Sequence, residues 1–268
     1  MGIRYYIDYP CVPREELGPE ELERLVFLRD RAGKFARLFR ETKGVEDEER
    51  MIVVLRRADG EEVAEARRSV SSLREESAAL VAYEEQCEGC PANVDEAPFG
   101  CHGVIAFPVS LAAEEWLAGR LAPEGTRARS LFDAGIEDHG YGSDPRLAEW
   151  RRLGFIERPE PLAVGEGATT DALLHELLLP GEIGPEHGLG LLLQLGALRL
   201  SDGTHGDAVA EHVARAVEDP GSLGENAPGL EFAIDPYPMD DASIRDLKRF
   251  LFAVYMALSQ ECPVRVTA

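Results

Sequence analysis

Lysine is scarce in this chain: of 28 basic residues only Lys34, Lys43 and Lys248 are lysines, and the rest are arginines. Basic residues as a class are outnumbered by 50 Asp and Glu, for a formal net charge of -22 over 268 residues. A chain without a cationic excess lacks what general nucleic-acid binding needs, because phosphate contacts call for a basic face. The same shortage argues against docking on anionic membrane surfaces. The deficit is spread along the chain, with 18 basic and 27 acidic residues in 1–134 and 10 and 23 in 135–268. There is accordingly no acidic tail, only an acidic surface that favours solubility.

Long apolar runs are missing too. The longest, Gly188 to Leu200, is interrupted by Gln194, Gly190 and Gly196, well short of the ~20 apolar residues of a membrane span. Met1 is followed by Gly-Ile-Arg-Tyr-Tyr-Ile-Asp, without a basic stretch leading into an apolar one, and Gly2 lacks the Ser or Thr that N-myristoylation requires. The expected location is cytoplasmic. Several signatures are also absent: GxxxxGK[ST], a GxGxxG after a strand, HExxH and GxSxG. Phosphate-loop, dinucleotide, zincin and serine-hydrolase readings therefore have no motif behind them. Hydrophobic residues still make up 44 % of the chain, enough for a sizeable core.

The patterning that is present alternates strand and helix signals. Ile3–Tyr9 reads as a strand ending at Pro10. Pro19 opens a long helix with Leu22, Leu25, Val26, Leu28, Phe35, Leu38 and Phe39 at three- and four-residue steps, stopping at Gly44. Met51–Leu55 and the return from Val63 suggest a hairpin turning at Asp59-Gly60. Ser71 or Ser72 is expected to cap a helix reaching about Gln86, with Glu75 in a capping box. A strand over 104–109 and a helix from Ser110 follow. Beyond them lie helices interrupted by Gly135, Gly140, Gly142 and Pro145. Later helices are expected over 172–179, from 185 to near 195, over 207–217, and from Asp240 or Ser243 to about Leu258. Short strands at 198–200, 230–234 and 264–266 complete the list. The fold class expected is α+β, rich in helix, with a small mixed or antiparallel sheet. The Pro- and Gly-rich stretch 159–167 suggests two lobes, 1–158 and 168–268, with one continuous domain as the alternative.

The sharpest local feature is Cys87-Glu-Gly-Cys90-Pro-Ala-Asn followed by Phe99-Gly-Cys101-His102, a C-x2-C-x10-C pattern. Two thiols two residues apart reach one metal from a single tight turn, and Gly89 gives that turn its freedom. The intervening loop has little apolar material, so a metal would order it where a core cannot. A tetrahedral site needs a fourth ligand. Cys11, in the rigid Pro10-Cys-Val-Pro13 loop, ranks first. His102 comes next, although strand alternation sets it on the face opposite Cys101. Cys262 is third. Zinc is the leading cofactor, and an iron–sulfur cluster is the second, suggested by the Cys90-Pro91 step but lacking the compact run of four cysteines. A redox disulfide ranks below both, because the pair falls at the C-terminal end of its helix, where the dipole does not favour a thiolate.

Weaker candidates lie elsewhere. Asp138-His139 beside Gly140-Tyr141-Gly142, and Asp202-Gly-Thr-His205-Gly-Asp207, are loops with acid–base residues. His139, His205 and Asp207 are the candidate catalytic groups, each set against an ordinary turn role. His175-Glu176 begins an HExxH motif but lacks the second histidine. The leading functional expectation is a binding or interaction protein with a structural zinc-type centre, its partner being a protein or small ligand. The alternative is a metal- or acid–base-dependent, hydrolase-like enzyme working from the 138–142 or 202–207 loop. An iron–sulfur electron-transfer or redox protein is a further alternative.

Overall fold

The computed structural model describes residues 2–43, 51–58, 61–95, 97–217 and 229–267. In chain order the elements are β1 (Gly2–Ile7), α1 (Val12–Leu17), α2 (Pro19–Lys43), β2 (Met51–Ala58), β3 (Glu61–Ser69) and α3 (Val70–Glu76). A 3-10 helix over Ala78–Cys87 leads to β4 (His102–Ala106), α4 (Leu111–Arg120), α5 (Arg127–His139), α6 (Pro145–Arg152), β5 (Ala163–Gly165) and β6 (Ala168–Thr169). The chain finishes with α7 (Thr170–Leu178), β7 (Glu182–Ile183), α8 (Pro185–Gln194), β8 (Leu198–Leu200), α9 (Asp207–Val217), β9 (Leu230–Phe232), α10 (Ala242–Ser259) and β10 (Val264–Thr267). The fold is α+β, helix-rich with small antiparallel sheets. No helix among the described residues is long and apolar enough to cross a membrane.

Two compact units divide the chain: residues 1–9 with 100–268, and residues 10–99. The 159–167 stretch lies inside the first. That unit is built on a four-stranded antiparallel sheet in the order β4-β1-β10-β7, so the two ends of the chain lie side by side. Inward-facing Ile3, Tyr5 and Ile7 of β1 are almost wholly buried. Tyr5 sits opposite Gly103 in the register, and a Cβ on Gly103 would fall 2.2 Å from its ring. Glycine there lets the ring lie flat across β4. The Tyr5 ring then meets Phe250 of α10 edge-on, centroids 4.9 Å apart. Helix α10 begins where the Asp241 carboxylate accepts from the Ile244 amide at 2.8 Å, and it buries Leu247, Phe250, Leu251 and Val254. Close approach of α8 to α10 is permitted by Gly188, whose absent Cβ would touch Val254 at 3.0 Å.

The 10–99 unit is smaller. Helix α2 packs on the 3-10 helix and Phe99 through a cluster of Leu22, Leu25, Val26, Leu80, Cys87 and Phe99, and on α3 through a second of Leu28, Ala32, Val70 and Leu73. β2 and β3 pair as the expected antiparallel hairpin. Its Asp59-Gly60 turn and the helix stop at Gly44 fall outside the described residues. The helix expected from Ser72 to Gln86 is corrected in two ways. Its cap is Ser69: the Ser69 hydroxyl accepts from the Ser72 amide while the Ser72 hydroxyl accepts from the Ser69 amide, both at 3.0 Å. At Ser77 the hydroxyl bonds back to the Leu73 carbonyl at 2.9 Å, and the chain tightens into the 3-10 helix instead of continuing as α.

Candidate functional site

The thiol loop lies mostly in the 10–99 unit. Cys87 closes the 3-10 helix, and the Cys90 amide donates to the Cys87 carbonyl at 3.3 Å. Asn93 ties the return together, its amide group donating to the carbonyls of Cys87 and Ala97 at 3.3 and 3.1 Å. Arg29 donates to the Pro98 carbonyl at 2.9 Å with its guanidinium 4.8 Å from the Phe99 ring centre. Cys11, the residue before α1, is brought into the electrostatic field of both Cys87 and Cys90. Burial raises the Cys11 thiol pKa, the Arg14 backbone amide pulls it down, and Cys90 and Cys87 raise it further. Burial likewise raises that of Cys87, against the Phe99 amide, and Cys90 adds to the rise. Thiols held in their protonated form lack the activation of an attacking thiolate.

No disulfide joins the cysteines among the described residues. Nor, among those residues, do three or more His, Cys, Asp or Glu side chains stand as a ready-made metal cage. Cys101, His102 and Cys262 belong to the other unit. The Cys101 carbonyl accepts from the Ile7 amide at 3.0 Å, His102 is buried with its ring 5.3 Å from that of Tyr6, and the buried Cys262 thiol reaches the Ala257 carbonyl at 3.7 Å.

The weaker loops separate. In the 202–207 loop, Asp202 accepts from the Thr204 amide at 2.9 Å, and Asp207 accepts from the Arg127 amide at 3.2 Å. His205 is exposed. These are turn and helix-end roles. The 138–142 loop is richer. Gly140 ends α5 in the left-handed region at φ 64°, and Tyr141 folds back on Gly135, where a Cβ would sit 2.4 Å from its ring. Tyr141 thereby stands between two imidazoles, 5.6 Å from His139 and 5.3 Å from His175, centroid to centroid. The Gly142 amide donates to His175 Nδ1 at 3.1 Å, so the neutral ring carries its proton on Nε2. Burial depresses the His175 pKa. Asp144, bonded to Arg146, is lowered to about 2.

Two buried carboxylates stand in this unit, Glu114 and the Glu176 of the incomplete HExxH pattern. Glu114 of α4 is 0 % exposed and is clamped by Arg151 of α6 at 2.7 and 3.2 Å. Thr170 also donates to it. Arg151 spends all five donors: two on Glu114, two on Asp171 at 2.6 and 2.8 Å, and one on the Arg158 carbonyl at 2.7 Å. The pocket beside it, lined by Arg151, Arg152, Pro159, Glu160 and Asp171, therefore finds no spare donor on Arg151. Glu176 of α7 is 1 % exposed. One of its oxygens accepts from the Gln194 carboxamide of α8 at 2.9 Å and lies 3.7 Å from His187 Nε2. Its other oxygen, Gln194 Oε1 and His187 Nε2 are buried without a hydrogen bond. One sequence signal pointed here: His187 and Gln194 are seven residues apart, on one face of α8.

No family model, no curated protein and no solved structure matches this chain.

Proposed function

We propose that the chain is a binding protein whose 10–99 unit is stapled by a zinc-type thiolate centre. The observation that carries this reading is that Cys11 lies within electrostatic reach of Cys87 and Cys90, thiols from opposite ends of that unit. Thiols in a loop with little core of its own are what a divalent ion of soft preference would draw together. Its binding energy would then be folding energy for the 87–99 loop and α1. Cys87→Ser or Cys90→Ser is expected to lower stability by several kcal/mol in the metal-loaded chain. A loss below ~1 kcal/mol in chemical unfolding would contradict a structural centre. Visible absorbance of the purified chain would point to an iron–sulfur cluster instead. A second reading, acid–base chemistry at the 138–142 loop, draws on the alignment of His139, Tyr141 and His175.

A further inference from the structure

We infer that Glu176, His187 and Gln194 form a second cation site, in the 100–268 part of the chain, for a divalent transition ion that accepts mixed nitrogen and oxygen donors. Glu176 and Gln194 are 1 % and 3 % exposed, and each carries an acceptor oxygen with no donor facing it. Buried polar atoms are nearly always partnered, so several orphans around one carboxylate call for a missing positive or donating group. The Gln194 amide nitrogen must face the carboxylate it donates to, which fixes Gln194 Oε1 as an acceptor. His187 Nε2 stands 3.7 Å from Glu176 Oε1, the oxygen that also accepts from Gln194. That is too long for a hydrogen bond. Two ligands of a single ion, each at about 2.0–2.2 Å, stand roughly 3–4 Å apart.

The size of the occupant follows from burial. The orphaned atoms are closed to water-sized probes, so an organic amine has no room, whereas an ion occupies the gap by drawing its donors inward. One imidazole, one carboxylate and one amide oxygen suit manganese, cobalt or zinc better than a soft thiophilic ion. The His187 side chain is 27 % exposed, so the site lies one side chain away from the surface. Gln194, donating to the carboxylate through nitrogen, also holds it in orientation.

The test uses the full chain, stripped with a chelator and titrated with Mn²⁺, the bound fraction being read from loss of the free-ion electron paramagnetic resonance signal. Mn²⁺ favours oxygen and nitrogen over thiolate, so this result is independent of the thiol centre. Wild type should show one saturable equivalent, and Glu176→Gln should weaken it at least about tenfold. His187→Ala, at a partly exposed position, should weaken it likewise and guards against a folding defect in the first variant. Absence of a saturable equivalent, as for a buried water alone, would overturn the proposal. So would equal binding by wild type and both variants, the mark of scattered surface carboxylates.

Discussion

Glu114 and Glu176 are carboxylates of one unit, 0 % and 1 % exposed, completed in opposite ways. Glu114 meets a guanidinium with two bonds, a hydroxyl, and a second arginine, Arg158, at 3.8 Å. Glu176 meets one carboxamide and leaves an oxygen bare. A buried charge that is matched and saturated belongs to the architecture, because removing either side leaves the other stranded. A buried charge that is gathered and left open holds a place for something else. The proposed thiol centre falls on the open side of this comparison: Cys11 lies within electrostatic reach of Cys87 and Cys90, and burial raises the Cys11 and Cys87 thiols.

The largest effect should come from breaking the saturated side. Arg151→Met strands Glu114 and Asp171 and is expected to cost about 3–5 kcal/mol in denaturant unfolding. A cost under about 1 kcal/mol would show that water reaches the network. The same substitution at the two glutamates sharpens the contrast. Glu114→Gln should lose about 2–3 kcal/mol, since it weakens charge-assisted bonds to Arg151. Glu176→Gln, in the metal-free chain, should stay within about 1 kcal/mol of wild type or gain stability, because it removes an uncompensated charge. Equal losses at both positions would erase the distinction.

The smallest effect concerns His175. Its folded pKa is lowered by burial, so the unfolded chain binds the proton more readily. Its contribution is fully present above the unfolded value of about 6.5 and is lost as pH falls through the folded value. Melting temperatures across that range should fall less steeply in His175→Gln than in wild type. Identical slopes would remove His175 from the account.

Local signals carried much of the fold. The β-branched and aromatic run at Ile3, the three-and-four spacing from Leu22 to Phe39, and Pro185 at the first turn of α8 all mark elements where the structure has them. What the chain does not advertise is non-local or depends on competition within one turn. Pairing of β1 with β10 joins strands from opposite ends of the chain, and nothing near Tyr5 announces Val266. The tightening after Ser77 accompanies a hydroxyl that bonds back to the Leu73 carbonyl beside its own amide, which periodicity does not register. The site residues follow the same rule. The Cys87–Cys90 turn is legible because both thiols share one loop, whereas Cys11 is reached only by ranking thiols. Gln194 shows in the sequence as a polar break in an apolar run, seven residues from His187. That it faces Glu176 depends on how α7 and α8 pack, and their order in sequence does not contain that.

If buried polar groups left without partners are ligand sites, the thiols of Cys11, Cys87 and Cys90 should hold a metal. Chains purified without a polyhistidine tag should carry one equivalent of zinc. Cys11, Cys87 and Cys90 should then resist thiol reagents until a chelator is added, and the number of protected thiols, three or four, tests the expected place of Cys101. No metal, with every thiol titrating in the native chain, would contradict that expectation.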